Sequence, residues 1–274
     1  MKYSFIAAIL FIISGISAGA QDLVILHTND THSHIDPVRA GEYAGMGGVI
    51  ERAVYVDSVR SAMGRRNVLL LDAGDFSQGS SYFTLMKGDV EVDCMNAMRY
   101  DAACLGNHEF DNGLDELARR IGRCRFPVVC ANYDFDNPAL EKVVKPYCIL
   151  RRGGMKIGII GLLTDLSVVV DKHIADKIRY LDPVECANRY AEILKEEKHC
   201  DLVICLTHLG YEGESFTDPE LVSGLENVDM VIGGHSHTFL EKAEMVKDAD
   251  GNEVPVVTDG CWGLYIGKAD IYNQ

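Results

Sequence analysis

After residue 20 the sequence has no apolar run long enough to cross a bilayer, which takes about 20 residues. It has no low-complexity segment and no internal repeat, which excludes disordered, fibrous and solenoid proteins. It also has no C-x-x-C pair, so the usual spacing of a thiolate metal site is missing. What remains is a chain of globular composition, 47% hydrophobic and 24% charged.

Positive charge is scarce. The 26 lysine and arginine residues are outnumbered by 41 aspartate and glutamate residues, which gives a formal net charge of −15. Without the first twenty residues, which hold one lysine and no acid, the balance is 25 minus 41, or −16. Polyanions such as duplex DNA bind through lysine and arginine contacts to phosphates, so the sequence argues against a nucleic acid polymer as ligand. A small phosphate ester is compatible with this charge, because metal ions could neutralise it.

The first twenty residues predict an export signal rather than part of the fold. Lys2 gives a positive start, residues 5–13 are apolar, and residues 18–20 are small, as at a cleavage site. We expect cleavage before Gln21. A membrane anchor is the alternative, although the segment is short for a span. No cysteine follows the small residues, so we expect no lipid anchor.

All nine cysteines lie after residue 20. An exported protein permits disulfides, but an odd number leaves at least one thiol free or paired outside the chain. Several cysteines sit inside apolar stretches, such as residues 126–132 and 200–208. We therefore expect buried free thiols.

Seven short runs rich in Val, Ile and Leu end in polar residues: 22–30, 67–75, 101–109, 126–132, 156–164, 200–208 and 228–237. Runs without alternation are typical of strands buried on both faces. Segments of helical length and period lie between them, over residues 48–63, 90–99, 113–121 and 183–198. The last begins after Asp182, a suitable N-cap, with proline at the first helical position. Strands that alternate with helices predict an α/β layered protein.

Two further patterns refine this prediction. In the first helix the apolar positions are Ile50, Val54 and Val59, with arginines and acids between them. After Asn252 the residues alternate better between apolar and polar, which predicts an antiparallel edge. Because no linker rich in Pro, Gly or Ser interrupts the chain, we predict one domain over residues 21–274.

Residues with metal-binding chemistry follow five of the predicted strands. They are Asp30, His32, Asp75, Asn107, His108, His208, His235 and His237. Each alone has a plain interpretation as a turn, a cap or a solvated side chain. In open α/β sheets, however, ligands bind outside the carboxyl ends of the strands, so these side chains could converge on one cavity. Their mixture of carboxylate and imidazole suits Zn²⁺, Mn²⁺ or Fe.

Seven ligands, all of these residues except His108, are too many for one ion. With Asp75 as a bridging carboxylate they divide into two sets of four, which predicts two divalent ions, whether Mn, Zn, Fe, Co or Mg. Two ions about 3.5 to 4 Å apart can clamp the attacking and leaving oxygens of a displacement at phosphorus. We therefore expect hydrolysis by in-line attack of a metal-bridging hydroxide.

His108 stands next to a proposed ligand without being needed as one. As a cation it could stabilise phosphoryl oxygens or protonate the leaving alkoxide. Asp111, three residues on, could orient it, as carboxylates orient histidine in other catalytic pairs. The alternatives are that His108 only supports the site, and that Asp111 is only the N-cap of the helix that begins near Gly113.

Five sequence blocks occur in one order: NDTH (29–32), GDFSQG (74–79), GNHEFD (106–111), THLG (207–210) and GGHSH (233–237). Together they resemble the dinuclear metallophosphoesterase superfamily, also called calcineurin-like phosphoesterases. Within it the sequence resembles the N-terminal domain of bacterial 5′-nucleotidases and UDP-sugar hydrolases, over essentially the whole chain after residue 20. The resemblance implies a four-layer α/β/β/α sandwich with two mixed sheets and the metals at their shared edge.

The resemblance also implies how the ligands divide. One ion would take Asp30, His32, Asp75 and His237, and the other would take Asp75, Asn107, His208 and His235. His108 and Asp111 match the family's catalytic pair. His34 matches no ligand position; it is close enough to His32 to line the mouth of the site, but we expect it to be solvated at the surface. We expect Trp262, the only tryptophan, to serve in packing rather than in substrate stacking.

The function implied is that of a periplasmic or secreted phosphoesterase that hydrolyses phosphate esters, foremost nucleotides. One alternative is a metal-binding catalytic subunit that needs a separate nucleoside-binding partner. Another is a hydrolase of cyclic nucleotides, UDP-sugars or other anionic esters. Full-length family members continue into a second domain that binds the nucleoside, whereas this sequence ends at Gln274. The resemblance therefore supports the metal chemistry more directly than the nucleotide preference.

Overall fold

The computed structural model describes residues 10–12 and 23–272. The export signal predicted over residues 1–20 lies outside the described residues, apart from residues 10–12, and so does the cleavage predicted before Gln21. Among the described residues, no helix is long and apolar enough to span a lipid bilayer.

The strands, numbered in chain order, are β1 (Leu10–Ile12), β2 (Leu23–Thr28), β3 (Val68–Asp72), β4 (Ala102–Cys104), β5 (Val128–Val129), β6 (Tyr133–Phe135), β7 (Val144–Lys145), β8 (Tyr147–Arg152), β9 (Met155–Leu163), β10 (Ile178–Tyr180), β11 (Leu202–His208), β12 (Met230–Ile232), β13 (Glu244–Lys247), β14 (Glu253–Val257) and β15 (Gly267–Ile271). The helices are α1 (Val49–Met63), α2 (Ser81–Met86), α3 (Asp89–Met98), α4 (Leu114–Ile121), α5 (Pro138–Val143), α6 (Lys172–Ala175), α7 (Pro183–Glu192) and α8 (Asp218–Ser223).

Within the described part of the chain, the strands form two large mixed sheets and one small pair. The first sheet has the order β1-β15-β2-β3-β4-β5-β7, and only β15 and β2 are antiparallel neighbours. The second has the order β13-β14-β12-β11-β9-β8 and is antiparallel only at its two ends. Strands β6 and β10 form the small antiparallel pair.

The two large sheets pack face to face, and helices cover their outer faces. On β2, Leu23 and Ile25 enter the core between the sheets, while Val24 and Leu26 enter the core against α1, α3 and α4. Helices α7 and α8 cover the second sheet through a third core. Because both faces of the central strands are buried, their sequences show no polar alternation. This is the four-layer α/β/β/α sandwich that the resemblance implied.

Helix α1 forms where the sequence predicts it, but it turns a different face to the core. Ile50 and Val54 are 67% and 65% exposed, whereas Arg52 is only 5% exposed. The Nη2 group of Arg52 donates to the carbonyl oxygen of His34 at 3.3 Å. Hydrophobic periodicity could not reveal this orientation, because the acceptor that allows Arg52 to be buried lies on another segment.

The two alternating segments after Asn252 separate into different sheets. Strand β15 pairs antiparallel with β2, as predicted, and β14 pairs antiparallel with β13. The prediction of an edge is wrong for both strands, because β15 also has β1 as a parallel neighbour in the first sheet, and β14 has β12 as a parallel neighbour in the second. Strand β13, which shows no strong strand pattern in the sequence, occupies the edge beside β14 in the described structure.

All nine cysteines lie in the described part of the chain, and all are free. Cys104, Cys130, Cys200 and Cys205 are buried, which agrees with the expectation of buried free thiols, and the other five are partly exposed. Burial raises the pKa of Cys124 and of Cys148 to about 12. At neutral pH these thiols stay protonated, which makes them poor nucleophiles.

Arg120 is fully buried and ties α4 to the helical turn His108–Phe110. Its Nη2 group donates to the carbonyl oxygen of Glu109 at 2.6 Å, and its Nη1 group donates to that of Lys87 at 2.8 Å. The stem of the side chain packs closely over Gly88, where an added Cβ would lie 2.6 Å from the guanidinium. One side chain thus fixes the turn that carries His108.

We predict that Arg120→Ala lowers the free energy of unfolding by about 2 to 5 kcal/mol, because it opens a cavity and leaves two carbonyl groups unpaired. The neighbouring Arg123 is a matched control, since it pairs at the surface with Asp89 and Asp93. Arg123→Ala should cost less than about 1 kcal/mol. Urea unfolding measures both, and equal midpoints for the two variants would contradict the role given to Arg120.

Candidate metal centre

The carboxyl ends of five strands bring the predicted ligands to one edge of the sandwich. Asp30 and His32 follow β2, Asp75 follows β3, Asn107 follows β4, His208 ends β11, and His235 and His237 follow β12. Six of the seven form two compact groups, in each of which the ligand atoms lie within 4.8 Å of one another. The first group is Asp30, His32 and His237, and the second is Asp75, His208 and His235. The same division is implied by the family resemblance.

The two groups are adjacent and share their carboxylates. Nε2 of His208 lies 3.1 Å from Oδ2 of Asp75 and 3.8 Å from Oδ1 of Asp30. Nε2 of His32 lies 3.7 Å from the same Asp30 oxygen and 3.9 Å from the same Asp75 oxygen. Each carboxylate therefore reaches imidazoles of both groups, and the family resemblance implies that Asp75 is the one that bridges the two ions.

Three polar atoms at this place are buried and make no hydrogen bond of good geometry: Oδ1 of Asp30, Oδ1 of Asn107 and, although Oδ2 of Asp75 is 3.1 Å away, Nε2 of His208. Buried polar atoms are normally hydrogen bonded, so three such atoms together fit a cation site. Carboxylate, amide and imidazole donors suit divalent ions such as Zn²⁺, Mn²⁺ or Fe²⁺. The residues present thus fit two divalent ions, and Asn107 adds a seventh donor to the six in the compact groups.

The remaining atoms of these ligands are held by other partners. Oδ2 of Asp30 accepts from the side chain of Asn29 at 2.7 Å and from the backbone N–H of His235 at 2.9 Å. Nδ1 of His208 donates to the carbonyl oxygen of Ala73 at 2.7 Å. Such second contacts orient a ligand and leave its other atom for the metal. The other atom of each side chain, Oδ1 of Asp30 and Nε2 of His208, faces the cluster.

The electrostatics of the cluster favour positive charge. Burial acts to lower the pKa of His208, but Asp75 and Asp30 raise it to about 10. The close approach of Nε2 of His237 to Oδ1 of Asp30, 3.5 Å apart, together with a contact to Cys261, raises the pKa of His237 to about 10 as well. Burial and the charge of His208 lower the pKa of His235 to about 4. A field that holds protons on two imidazoles also attracts divalent cations, whose binding would release those protons.

Left-handed backbone conformations are concentrated at the ligands. Five of the seven have positive φ angles: Asp30 (48°), His32 (42°), Asp75 (54°), His235 (79°) and His237 (55°). Such angles are uncommon outside glycine and persist where the surroundings impose them. Here the loops after β2 and β3 hold each other, through N–H groups of Asp30 and His32 that donate to the carbonyl oxygens of Gly74 and Asp75 at 2.9 and 3.0 Å.

Glu109, for which the sequence pattern predicted no role, is fully buried beside the ligand loops. Its carboxylate accepts the backbone N–H groups of Asp75 at 2.9 Å, Ser77 at 3.0 Å and Gly106 at 2.7 Å. It therefore joins the loop of Asp75 to the loop of Asn107. The available signal was its place inside the block GNHEFD, where a buried acid needs several donors.

Glycines let the same loops approach closely. Gly74 has a φ of 88°, and an added Cβ there would lie 2.7 Å from the backbone nitrogen of Gly106 and 2.9 Å from Nδ1 of His208. No side chain can occupy that space. The Gly-Asp pair that the sequence shows after β3 is therefore a requirement of loop packing as well as of the turn.

His108 and Asp111 form a pair at the rim of the cluster. Nδ1 of His108 lies 3.0 Å from Oδ2 of Asp111, and their side chains are 31% and 33% exposed. This hydrogen bond raises the pKa of His108 against the opposing effect of burial. Helix α4 is capped at Gly113 without a side-chain hydrogen bond, so Asp111 does not serve as its N-cap. The structure thus favours the orienting role for Asp111.

A cavity of about 490 Å³ opens over the cluster, a size in the usual range of about 300 to 1,000 Å³ for small-molecule sites. Its lining consists of His32, His34, Asp75, Gln78, Gly79, Asn107, His108, His235, His237 and Trp262. His34 and Trp262 both line this cavity, whereas the sequence favoured a surface position for His34 and a packing role for Trp262. His27, by contrast, is buried away from this lining with Nδ1 3.2 Å from Oδ2 of Asp259.

Residues 23–239 match the family model of the calcineurin-like phosphoesterases, so the chain belongs to this family. Its relatives include 5′-nucleotidases. The sequence is 34% identical to the snake venom 5′-nucleotidase of Naja atra, over 92% of this chain and 50% of that protein. It is also 34% identical to the human 5′-nucleotidase, over 93% of this chain and 47% of that one. The chain therefore spans about half the length of these curated relatives.

Solved structures agree with this assignment. The 5′-nucleotidase precursor of Thermus thermophilus superposes with a TM-score of 0.80 and 38% identity, over 88% of this chain and 49% of that chain. The NAD nucleotidase of Haemophilus influenzae gives a TM-score of 0.78 and 28% identity, over 90% of this chain and 52% of that chain. Both cover the sandwich and leave about half of the other chain unmatched.

The division of the ligands can be tested by metal content. We predict that His237→Ala and His235→Ala each lose about one of two ions per chain, because each removes a donor from one group only. Asp75→Ala should weaken binding of both ions, since its carboxylate reaches both groups. Mass spectrometry of metals after dialysis gives the stoichiometry. Asp250→Ala, at an exposed aspartate that belongs to neither group, is the control, and two tightly held ions in Asp75→Ala would contradict the bridging role.

Proposed function

We propose that this chain is a metal-dependent phosphoesterase that hydrolyses phosphate esters, with nucleotides as its main substrates. The observation that carries the proposal is His108, which is paired with Asp111 and lines the same cavity as residues from both groups of ligands. Metal storage or simple anion binding would not need an oriented histidine at that position. A pair of this kind supplies acid–base chemistry.

Each part of the cavity has a task in this proposal. Asp30, His32, Asp75 and His237 would hold one divalent ion, and Asp75, Asn107, His208 and His235 would hold the second. Bound divalent ions lower the pKa of a coordinated water and neutralise charge on a phosphoryl group. Asp111 holds Nδ1 of His108, which leaves Nε2 to donate a proton or a hydrogen bond to an ester oxygen. The raised pKa of His108 favours the protonated ring that this step needs.

The choice of nucleotides depends on the relatives rather than on the cavity. The curated relatives named above are 5′-nucleotidases, and this chain matches about half of each. A separate nucleoside-binding partner that sharpens the specificity is therefore an alternative form of the proposal. Cyclic nucleotides, UDP-sugars and other anionic esters are alternative substrates for the same chemistry.

We expect the metal-loaded chain to hydrolyse phosphate esters when it is offered AMP, UDP-glucose, a 2′,3′-cyclic nucleotide and an aryl phosphate. Preference for one of the nucleotides, measured as kcat/KM, would mean that this chain selects its substrate alone. Equal, slow turnover of all four would favour the version with a partner. No turnover of any ester with two ions bound would contradict the proposed function.

Two histidine variants provide the control for this measurement. His108→Ala should retain both ions and lose about 10²- to 10⁴-fold in kcat, because it removes a proton donor. His173→Ala replaces an exposed histidine on α6, which is not part of the lining of the cavity, and should behave like the wild type. Similar rates for His108→Ala and His173→Ala would exclude the role proposed for His108.

Export of the chain belongs to the same proposal. It is supported by Lys2, by the apolar stretch over residues 5–13 and by the small residues 18–20. We expect the mature protein in the periplasmic fraction of an expressing bacterium to begin at Gln21. Intact mass spectrometry of that fraction distinguishes this form from the uncleaved chain. A full-length mass in the membrane fraction would instead favour an N-terminal anchor.

A further inference from the structure

Two aromatic rings are stacked on each other at the mouth of the metal cavity. The indole of Trp262 and the imidazole of His34 are stacked, with centroids 5.1 Å apart and planes inclined by 20°. Both side chains are partly exposed, and both line the cavity together with the metal ligands. Buried packing residues would not leave two nearly parallel rings open to a ligand cavity.

Backbone contacts fix both rings relative to the metal ligands. The N–H group of Trp262 donates to the carbonyl oxygen of Asp30 at 2.7 Å. Nδ1 of His34 donates to the carbonyl oxygen of His32 at 3.0 Å. Both rings are therefore tied to the loop that carries the ligands Asp30 and His32.

Trp262 also has a left-handed backbone, with a φ of 61°. For a bulky residue this conformation is an outlier, and such outliers cluster at ligand sites, where the surrounding structure imposes them. The hydrogen bond to Asp30 holds it in place. The chain thus maintains a strained conformation in order to present this indole to the cavity.

Space for a leaving group lies next to the rings. His34, Gln78 and Gly79 line both the metal cavity and an open groove of about 600 Å³. The groove continues between residues 33–39 and 78–84, with polar side chains such as those of Ser80 and Tyr82 along it. The metal cavity, which Trp262 also lines, therefore opens into further space that could take the alcohol of an ester.

We propose that Trp262, backed by His34, is the stacking surface for a planar ring on the alcohol of the substrate. This inference rests on the proposed function, because it names the class of ester that the same site selects. Aromatic side chains stack on nucleobases without regard to their hydrogen-bonding edges, so any heteroaromatic ring of suitable reach is accepted. The chain then favours esters such as nucleoside monophosphates over aliphatic phosphates without help from a second domain.

Trp262 is the only tryptophan in the chain, so its fluorescence reports on this contact directly. The full metal-loaded chain is titrated with a phosphonate analogue of AMP, which is not hydrolysed, and with propylphosphonate, which has no ring. Calorimetry gives the occupancy in each titration. We expect the analogue of AMP to quench the tryptophan at least severalfold more than propylphosphonate does at equal occupancy. Equal quenching by both ligands, or none by either, would overturn the inference.

Kinetics give a second, independent measurement. In Trp262→Ala the ratio of kcat/KM for AMP to that for glycerol 3-phosphate should fall about tenfold or more, as expected for loss of one stacked base. Trp262→Phe should restore most of the ratio, because a smaller ring still stacks. Phe216→Ala, at an exposed aromatic that does not line either space, should leave the ratio unchanged.

The outcomes separate this inference from the proposed function. If neither ester is hydrolysed, the proposed function fails, while the fluorescence titration still tests the stacking. If both are hydrolysed and Trp262→Ala lowers the two efficiencies equally, the stacking surface is wrong and the hydrolase is not. Urea unfolding of Trp262→Ala and Trp262→Phe identifies any loss of fold, and the phenylalanine variant serves as the test if alanine is not tolerated.

Discussion

Two buried carboxylates, those of Asp30 and Asp75, face the same imidazole nitrogens at one edge of the sandwich, and the surrounding structure is arranged around that concentration of charge. Neither carboxylate could be buried there without positive charge nearby. In the chain without metal, protonated histidines supply this positive charge. Bound divalent ions would supply more of it and would displace the protons. Most of the ligands have a left-handed backbone, an unfavourable conformation that the surrounding structure imposes in order to hold these groups together.

Support for this cluster comes from residues that do not touch a metal or a substrate. Glu109 joins two ligand loops through three backbone N–H groups, and Arg120 holds the carbonyl group of Glu109 from α4. A continuous path of hydrogen bonds therefore runs from a packed helix to the turn of His108. This arrangement ties the turn of His108, for which we propose acid–base chemistry, to a packed helix, and such chemistry depends on well-held geometry.

Much of the fold followed from the sequence, because central strands of two packed sheets are apolar on both faces and end abruptly in polar loops. The predicted strands and the four predicted helices all form. The sequence did not predict which face of α1 packs against the core, because the burial of Arg52 depends on a carbonyl group that another segment supplies. The place of β14 inside its sheet did not follow either, because its parallel partner β12 is set by packing and not by its own alternation.

The sequence by itself determined the kinds of ligand, their order along the chain and their position after strands, since donor chemistry and strand periodicity are local properties. Only the tertiary structure decided which donors share a site, that Glu109 braces them and that Trp262 reaches the cavity. The reason is distance along the chain: the N–H group of His235 bonds to Asp30 across 205 positions, and that of Trp262 bonds to the carbonyl group of the same residue. Such contacts depend on how two sheets pack and register, which no local pattern encodes.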